Sequence, residues 1–542
     1  MLYYTLVFLF ISLVSCQPTP ISGPLITPLP QTYTFGSGVI RLNTGFFDIA
    51  ANIESDLLNN AILRYQKLFF PFGVGYPTNN PIATLNIKVS SDSEILQLYV
   101  SENYTISVEM VGQSPQLEII ADTIFGAMRA LETFSQLISY DAQSQSYSIP
   151  FVPIYIDDFP RFPWRGLQID TGRHFIPTSF LMHIIESCAY SKLNTLHWHV
   201  SDGESFPAES KSLPNITLGA FGPLAIYTIA DMEEIVAYGL SWGVRVLPEF
   251  DVPAHSFSWS TAFPGIMANC PGDSDLDGWP LSPALPEAYD LISKIYTDMS
   301  EIFIDKYFHS GGDELPYACW DNDPVIANWM TQNNFSTTQA EQYFEDQITN
   351  ILDGLQKTKV IWHDPFANGC EVRKDTVLQV WDNAQMAQQV VNAGIRAIVS
   401  YDWYLDMQIP VPGHTHYEYE DTWLDFYAAD PLMGVTTNTE LVIGGESCMW
   451  GEQVDHRNFD VRVWPRTIAI AERLWSNENV TDTNKALTRF DPFSCHISNR
   501  GINSGPLYPD YCLLTSDFSQ YSHQPRFKLT KEQIKNIYNS QK

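Results

Sequence analysis

The sequence predicts an α/β chain, a (β/α)8 TIM barrel preceded by a small α+β domain, on three observations. From Trp164 onward, short apolar runs alternate with stretches of helical periodicity, and eight such runs can be counted. A parallel barrel takes about 250 residues, so a chain of 542 residues leaves room for further units. With 45% apolar and 17% charged residues the chain can fill a large core, which excludes wholesale disorder.

Taken in order, Leu2 to Val14 is an apolar run followed by Ser15, Cys16 and Gln17, so residues 1–16 read as an export signal. That run is shorter than the ~20 residues a spanning helix needs. Residues 17–158 read as the N-terminal α+β domain, beginning with an irregular Pro-, Thr- and Gly-rich stretch to about residue 40. Ser55 precedes Leu58, Ile62, Tyr65 and Phe69 at helical spacing, and Asp122 opens a second helix carrying Ile124, Met128, Leu131 and Ile138. Leu85, Ile87 and Val89 alternate, as do Ile106, Val108 and Met110, which is strand behaviour. The stretch Asp157 to Pro163 ends this unit. Residues 159–480 are assigned to the barrel, its strands over 166–170, 195–200, 245–250, 307–310, 360–362, 377–381, 397–401 and 442–445, with the seventh crossover irregular. Residues 481–542 are expected to cap it.

The charge balance is 30 Lys+Arg against 62 Asp+Glu, a net of −32. Such a surface repels phosphate backbones and anionic lipid, so neither nucleic acid nor a membrane is expected as a partner. Protonation of carboxylates near pH 4 to 5 would relax the self-repulsion, which suits an acidic compartment. Eight cysteines are present, seven of them beyond Cys16, so at least one is expected to stay unpaired within the chain. Cys188 and Cys448 lie in core-like patterns, whereas Cys270 with Cys319 and Cys495 with Cys512 are the bridge candidates. Asn103, Asn215, Asn334 and Asn479 each head an N-x-S/T sequon.

Barrel sites form where the strands end, and these strands end in chemistry. The first ends in Asp170-Thr-Gly-Arg173-His174 and the second in His197-Trp198-His199-Val-Ser-Asp202. The third ends in Glu249-Phe-Asp251-Val-Pro-Ala-His255 and the fourth in His309-Ser-Gly-Gly-Asp313-Glu314. Trp362 and Trp381 end the fifth and sixth, Tyr401-Asp-Trp-Tyr404-Leu-Asp406 the seventh, and Trp450-Gly-Glu452 the eighth. Carboxyls, one Arg, one His and several tryptophans on one face suit a sugar, whose C–H faces stack on rings while its hydroxyls take polar groups.

The string from His309 to Glu314 resembles the H-x-G-G-D-E motif of the family 20 glycoside hydrolases, the β-N-acetylhexosaminidases. The likeness extends through 165–174, 194–199, 249–255 and 444–452 and covers essentially the whole chain beyond the export signal. It is similar to the eukaryotic lysosomal members, which implies a lysosomal or secreted glycan hydrolase, a dimer of identical or related subunits, and no cofactor or metal. The resemblance implies a retaining mechanism in which the substrate's own acetamido oxygen is the nucleophile. In that scheme Glu314 is general acid and then base, with a raised pKa, and Asp313 orients the acetamido group. Tyr404 donates to the acetamido oxygen, and Trp362, Trp381 and Trp450 wall the methyl pocket. Arg173 and Glu452 hold outer hydroxyls, Asp406 lies near the 6-hydroxyl, and Asp202 with His255 forms a chain toward Glu314. Relatives that accept charged sugars carry Asn-Arg where this chain has Asp406-Met407, which implies a preference for neutral substrates. The small domain also lacks the cysteines that form a disulfide in animal members.

Two other readings attach to the same residues. His197-x-His199 puts two imidazoles on one face of a strand, as a metal-dependent hydrolase requires, with His363 as the nearest further donor. A sugar-binding protein without turnover would share the scaffold, but here every position expected for catalysis is filled.

Overall fold

The computed structural model describes residues 23–73, 83–270, 279–407, 422–509 and 512. Residues 1–16, expected from the sequence to be an export signal, and most of the segment beyond residue 509 lie outside them.

The first unit is built from β1 (Thr32–Arg41), β2 (Phe47–Ala51), α1 (Asp56–Leu68), β3 (Ala83–Ser91), β4 (Tyr104–Val111), β5 (Ser114–Thr123), α2 (Ile124–Leu137), β6 (Ser139–Asp141) and β7 (Ser146–Asp158). Its sheet runs β1-β7-β4-β5-β3-β2, with β6 paired to β7. Leu85, Ile87, Val89, Ile106 and Val108 are buried on the face that packs against the two helices. Ser55 caps α1 by accepting from the Leu58 N–H at 3.1 Å. The second helix opens differently from expectation: Thr123, not Asp122, is its N-cap, accepting from the Gly126 N–H. Asp122 instead accepts from the Ser101 hydroxyl at 2.7 Å. The stretch expected to be irregular to residue 40 contains β1, which pairs antiparallel with β7 along its length. Most of β1 is exposed, so no apolar alternation marks it.

The barrel strands are β8 (Trp164–Asp170), β9 (Thr195–Ser201), β10 (Arg245–Phe250), β11 (Tyr307–His309), β12 (Thr358–Trp362), β13 (Val377–Val380), β14 (Arg396–Val399) and β15 (Val442–Met449). They are parallel and close in chain order, β15 pairing with β8. All eight runs read from the sequence are strands. Trp164, Leu247, Tyr307, Val360, Val377, Ile398 and Ile443 form one apolar cluster of barrel residues. Most of these side chains are fully buried, each contributing about 1.5–3 kcal/mol by leaving water. The outer helices, for example Thr178–Tyr190, Ile229–Trp242, Pro286–Ile302 and Thr337–Gly354, pack on the strands through a larger apolar cluster.

Buried charge joins the two units. Glu102, just before β4, accepts from Arg129 of α2 at 2.7 Å, from Arg165 of β8 at 2.7 Å and from the Asn194 amide at 2.9 Å. The two guanidinium groups outweigh the cost of burial and hold the Glu102 carboxyl down at about 2. The helix Thr483–Ser498 packs Phe490 on Trp423 and Tyr427, and Arg489 pairs with Glu472. Among the described residues no helix is long and apolar enough to cross a membrane.

Candidate active site

Every sugar-contacting and catalytic candidate read from the sequence lines one pocket at the carboxyl end of the barrel: Arg173, Asp202, His255, Asp313, Glu314, Trp362, Trp381, Tyr404, Asp406, Trp450 and Glu452. His199, Asp251 and Met407 share it.

The loop after β11 explains its two glycines. Gly311 and Gly312 have φ of 69° and 98°, and a Cβ on Gly311 would stand 1.6 Å from the Asp251 carboxylate. That close approach lets the Gly312 N–H donate to Asp251 at 2.9 Å. The Asp313 side chain is 11% exposed, whereas the neighbouring Glu314 side chain is 62% exposed. Glu314 itself adopts φ 51°, a left-handed conformation uncommon outside glycine. Its N–H donates to Asp364 at 3.2 Å, and the other oxygen of Asp364 accepts the Trp381 indole N–H at 2.9 Å.

Carboxyl oxygens of Asp251 and Asp313 lie within 4.8 Å of each other. Burial and the charge of Asp313 raise Asp251 well above the carboxylate range, so Asp251 is the more readily protonated of the two. Burial pushes Asp313 up to about 6, with His255 opposing. His255 reaches Asp202 at 3.2 Å on one side and Glu314 at 3.5 Å on the other. Burial disfavours its charge, but Asp202 and Asp313 outweigh that and raise His255 well above neutrality. The charged imidazole then lowers Glu314 through its hydrogen bond. This corrects the expectation of a raised Glu314: desolvation lifts the carboxyl, but the hydrogen bond from the His255 imidazolium, with its charge and that of Arg173, outweighs it.

Trp362 donates its indole N–H to Glu249 at 2.7 Å and lies 5.8 Å from the Trp450 ring. The Leu405 N–H donates to the Cys448 carbonyl at 2.8 Å, docking the Tyr404 loop on β15. Arg173 pairs with Asp202 at 2.9 Å and stacks over Trp450. Burial, with Glu452 adding repulsion, raises Asp406 to about 7, and its buried Oδ1 has no hydrogen-bond partner among the described residues.

The histidine pair proposed for a metal sits deeper. His197 lies between Glu446 at 2.6 Å and Glu249 at 3.1 Å, and these carboxylates outweigh burial and raise it to about 9. Both nitrogens of His197 and Nδ1 of His199 thus face carboxylates of Glu249 and Glu446. His363 stands apart, 5.6 Å from the Trp381 ring.

Cys270–Cys319 and Cys495–Cys512 are disulfides, with Cα separations of 4.7 and 5.4 Å. Cys495 lies within the helix Thr483–Ser498 and Cys319 within the short helix Tyr317–Asn322. Cys188, Cys370 and Cys448 are buried thiols. The four sequon asparagines, Asn103, Asn215, Asn334 and Asn479, are exposed. Sequence reading missed the roles of Asp251, Asp364 and Glu249. Each lies one to two residues from a strand end already singled out, which was the available signal.

A barrel mouth with paired carboxyls inside an aromatic wall defines a carbohydrate-cleaving enzyme. Residues 162–478 match the glycosyl hydrolase family 20 catalytic domain, and residues 26–137 match a domain described as beta-acetyl hexosaminidase like. The chain is 45% identical to beta-hexosaminidase subunit A1 of Dictyostelium discoideum over 95% of this chain and 96% of that one. It is 36% identical to the rat beta-hexosaminidase subunit alpha over 85% of this chain and 89% of that one. Among solved structures, the Flavobacterium johnsoniae chitobiase superposes with a TM-score of 0.77 at 26% identity, covering 88% of this chain and 73% of that one. The chain belongs to glycosyl hydrolase family 20. It is a glycoside hydrolase that acts as a β-N-acetylhexosaminidase.

Proposed function

We propose that the enzyme removes terminal non-reducing N-acetylglucosamine or N-acetylgalactosamine from neutral glycoconjugates or chitin oligosaccharides by a retaining, substrate-assisted mechanism. The burial contrast between the adjacent Asp313 and Glu314 carries this reading. The buried Asp313 shares the pocket with Trp362, Trp381 and Trp450; in this reading the acetamido group lies there and the exposed Glu314 meets the leaving group.

In this reading the acetamido oxygen attacks the anomeric carbon, the glycosidic bond breaks, and Glu314 gives its proton to the departing oxygen. Asp313 accepts the acetamido N–H and stabilises the positive charge of the oxazolinium ring. Water then adds to the anomeric carbon, giving its proton to Glu314 and reopening the ring. A sugar in the pocket covers the Glu314 carboxyl, and the added desolvation favours the protonated acid. Tyr404 donates to the acetamido oxygen, and Arg173, Glu452 and Asp406 take the outer hydroxyls. The partnerless Asp406 oxygen supports a hydroxyl donor there.

The high acidity and sequons support export to a lysosome, with secretion as the alternative. The subunit names of the relatives support a dimer of like or related chains. The sequons would carry N-glycans.

A thiazoline analogue of the cyclised intermediate tests the mechanism. It should bind much more tightly than N-acetylglucosamine, and the N-acetylhexosamine should be released initially as the β anomer. Equal inhibition constants would point to an enzyme carboxylate as nucleophile.

A further inference from the structure

The interior of the barrel is polar where it approaches the pocket, and the mechanism above leaves most of those groups without a task. At their centre is Glu249, fully buried on β10. Its Oε1 accepts the Trp362 indole N–H at 2.7 Å and lies 2.9 Å from His309 Nδ1. Its Oε2 accepts from His199 Nδ1 at 2.6 Å and lies 3.1 Å from His197 Nε2. His199 continues to Asp202 through its other nitrogen at 2.7 Å, and Asp202 reaches His255 at 3.2 Å. His255 ends the chain 3.5 Å from Glu314.

We propose that Glu249 is a positioning residue that ties the floor of the acetamido pocket to the general acid. One oxygen fixes Trp362; the other, through His199, Asp202 and His255, fixes the geometry from which Glu314 transfers its proton. This rests on Glu314 being the acid, as read above.

The surroundings support a permanent charge on Glu249. His197 and His199 face it from β9, His309 from β11 and the Asp251–Asp313 pair from the pocket side, with Glu446 behind His197 and Arg173 beyond Asp202. Burial opposes the charge, but His309, His199 and His197 outweigh it and hold the carboxyl well below its usual range. A neutral amide could not replace it. Gln at this position offers one acceptor and one donor group, leaving either the Trp362 indole N–H or the charged His199 imidazole facing a donor.

The test is Glu249→Gln in the full-length enzyme, assayed with a 2,4-dinitrophenyl N-acetylglucosaminide, which needs little acid help, and with chitobiose, which needs full protonation. Glu314→Gln serves as the reference for loss of the acid. The expected result is a kcat loss of about 10²-fold or more on chitobiose, less than about tenfold on the activated substrate, and a thiazoline inhibition constant raised about tenfold. Glu249→Asp should recover part of both losses. Should Glu249→Gln not fold, the two arms are read separately. His199→Gln should reproduce the leaving-group dependence, and Trp362→Phe, which removes only the indole N–H and the second ring, should reproduce the weaker inhibitor binding. Equal losses on both substrates with unchanged inhibition would make Glu249 a purely structural residue and overturn the proposal. If Glu314→Gln shows leaving-group dependence and Glu249→Gln or His199→Gln does not, this inference alone fails. If Glu314→Gln shows none, the acid assignment fails with it.

Discussion

Selectivity against a 6-sulfated sugar should depend on pH, and Asp406 sets the dependence. The carboxyl is raised to about 7 because burial disfavours its charge and Glu452 adds repulsion. Near pH 5 it is therefore almost wholly neutral, so the charge repulsion implied by the sequence is absent under acidic conditions. Any discrimination remaining there would come from Met407, which offers the sulfate no cation. As pH rises through about 7, Asp406 ionises and meets the sulfate as a like charge. Two unit charges about 4 Å apart interact by about 4 kcal/mol at an effective dielectric of 20. Solvent at the open pocket and salt reduce this to about 1–3 kcal/mol, or roughly 5- to 150-fold. The assay is kcat/KM for a nitrophenyl N-acetylglucosaminide and its 6-sulfate between pH 4.5 and 8. Titrations common to both substrates, those of Glu314 and Asp313 among them, cancel in the ratio. The neutral-to-sulfated ratio should climb with a midpoint near 7. Asp406→Asn should flatten it, and Asp406→Asn with Met407→Arg should recover sulfated turnover while leaving neutral turnover within about tenfold. A flat ratio in the wild type would refute the reasoning and place the 6-position in solvent.

Three further outcomes are expected. Glu314→Gln should leave the melting temperature unchanged, because the side chain is largely exposed, and lower turnover of unactivated substrates by about 10²–10⁴-fold; wild-type turnover of chitobiose would reject the assignment. Glu102 is held at about 2, below the ordinary carboxylate value of 4.5, so its contribution is complete above about pH 4.5 and is lost as pH falls toward 2. Glu102→Gln should therefore flatten that acid-side fall in melting temperature, and should cost about 3–5 kcal/mol at neutral pH by leaving Arg129 and Arg165 unpaired; an unchanged acid profile would contradict this. Replacing Cys270 and Cys319 by Ser opens a loop closed over 49 residues that contains Asp313 and Glu314, so stability should fall by about 2–4 kcal/mol by calorimetry and kcat more than KM; identical kcat would separate the bridge from the site.

The chain order of strands and helices was legible because a buried parallel strand is a short continuous apolar run and its crossover a helical one. Barrel closure follows from eight such units, and closure brings Arg173, Asp202, His255, Asp313, Glu314 and the tryptophans to one end. Those residues could be named from strand ends alone. β1 was not legible, because a mostly exposed edge strand carries no apolar period. The capping of α2 by Thr123 instead of Asp122 turned on a single residue's hydrogen bonding. Protonation states were decided only in three dimensions. Glu314 is lowered, Asp406 raised and His197 charged because of neighbours that lie dozens to hundreds of residues away, such as Glu446 beside His197. The same holds for Asp251 behind Asp313, Asp364 between Glu314 and Trp381, and Glu249 beneath Trp362. Sequence periodicity reports which face a side chain occupies; a carboxyl's partner, and hence its charge, depends on which strands the closed barrel sets side by side.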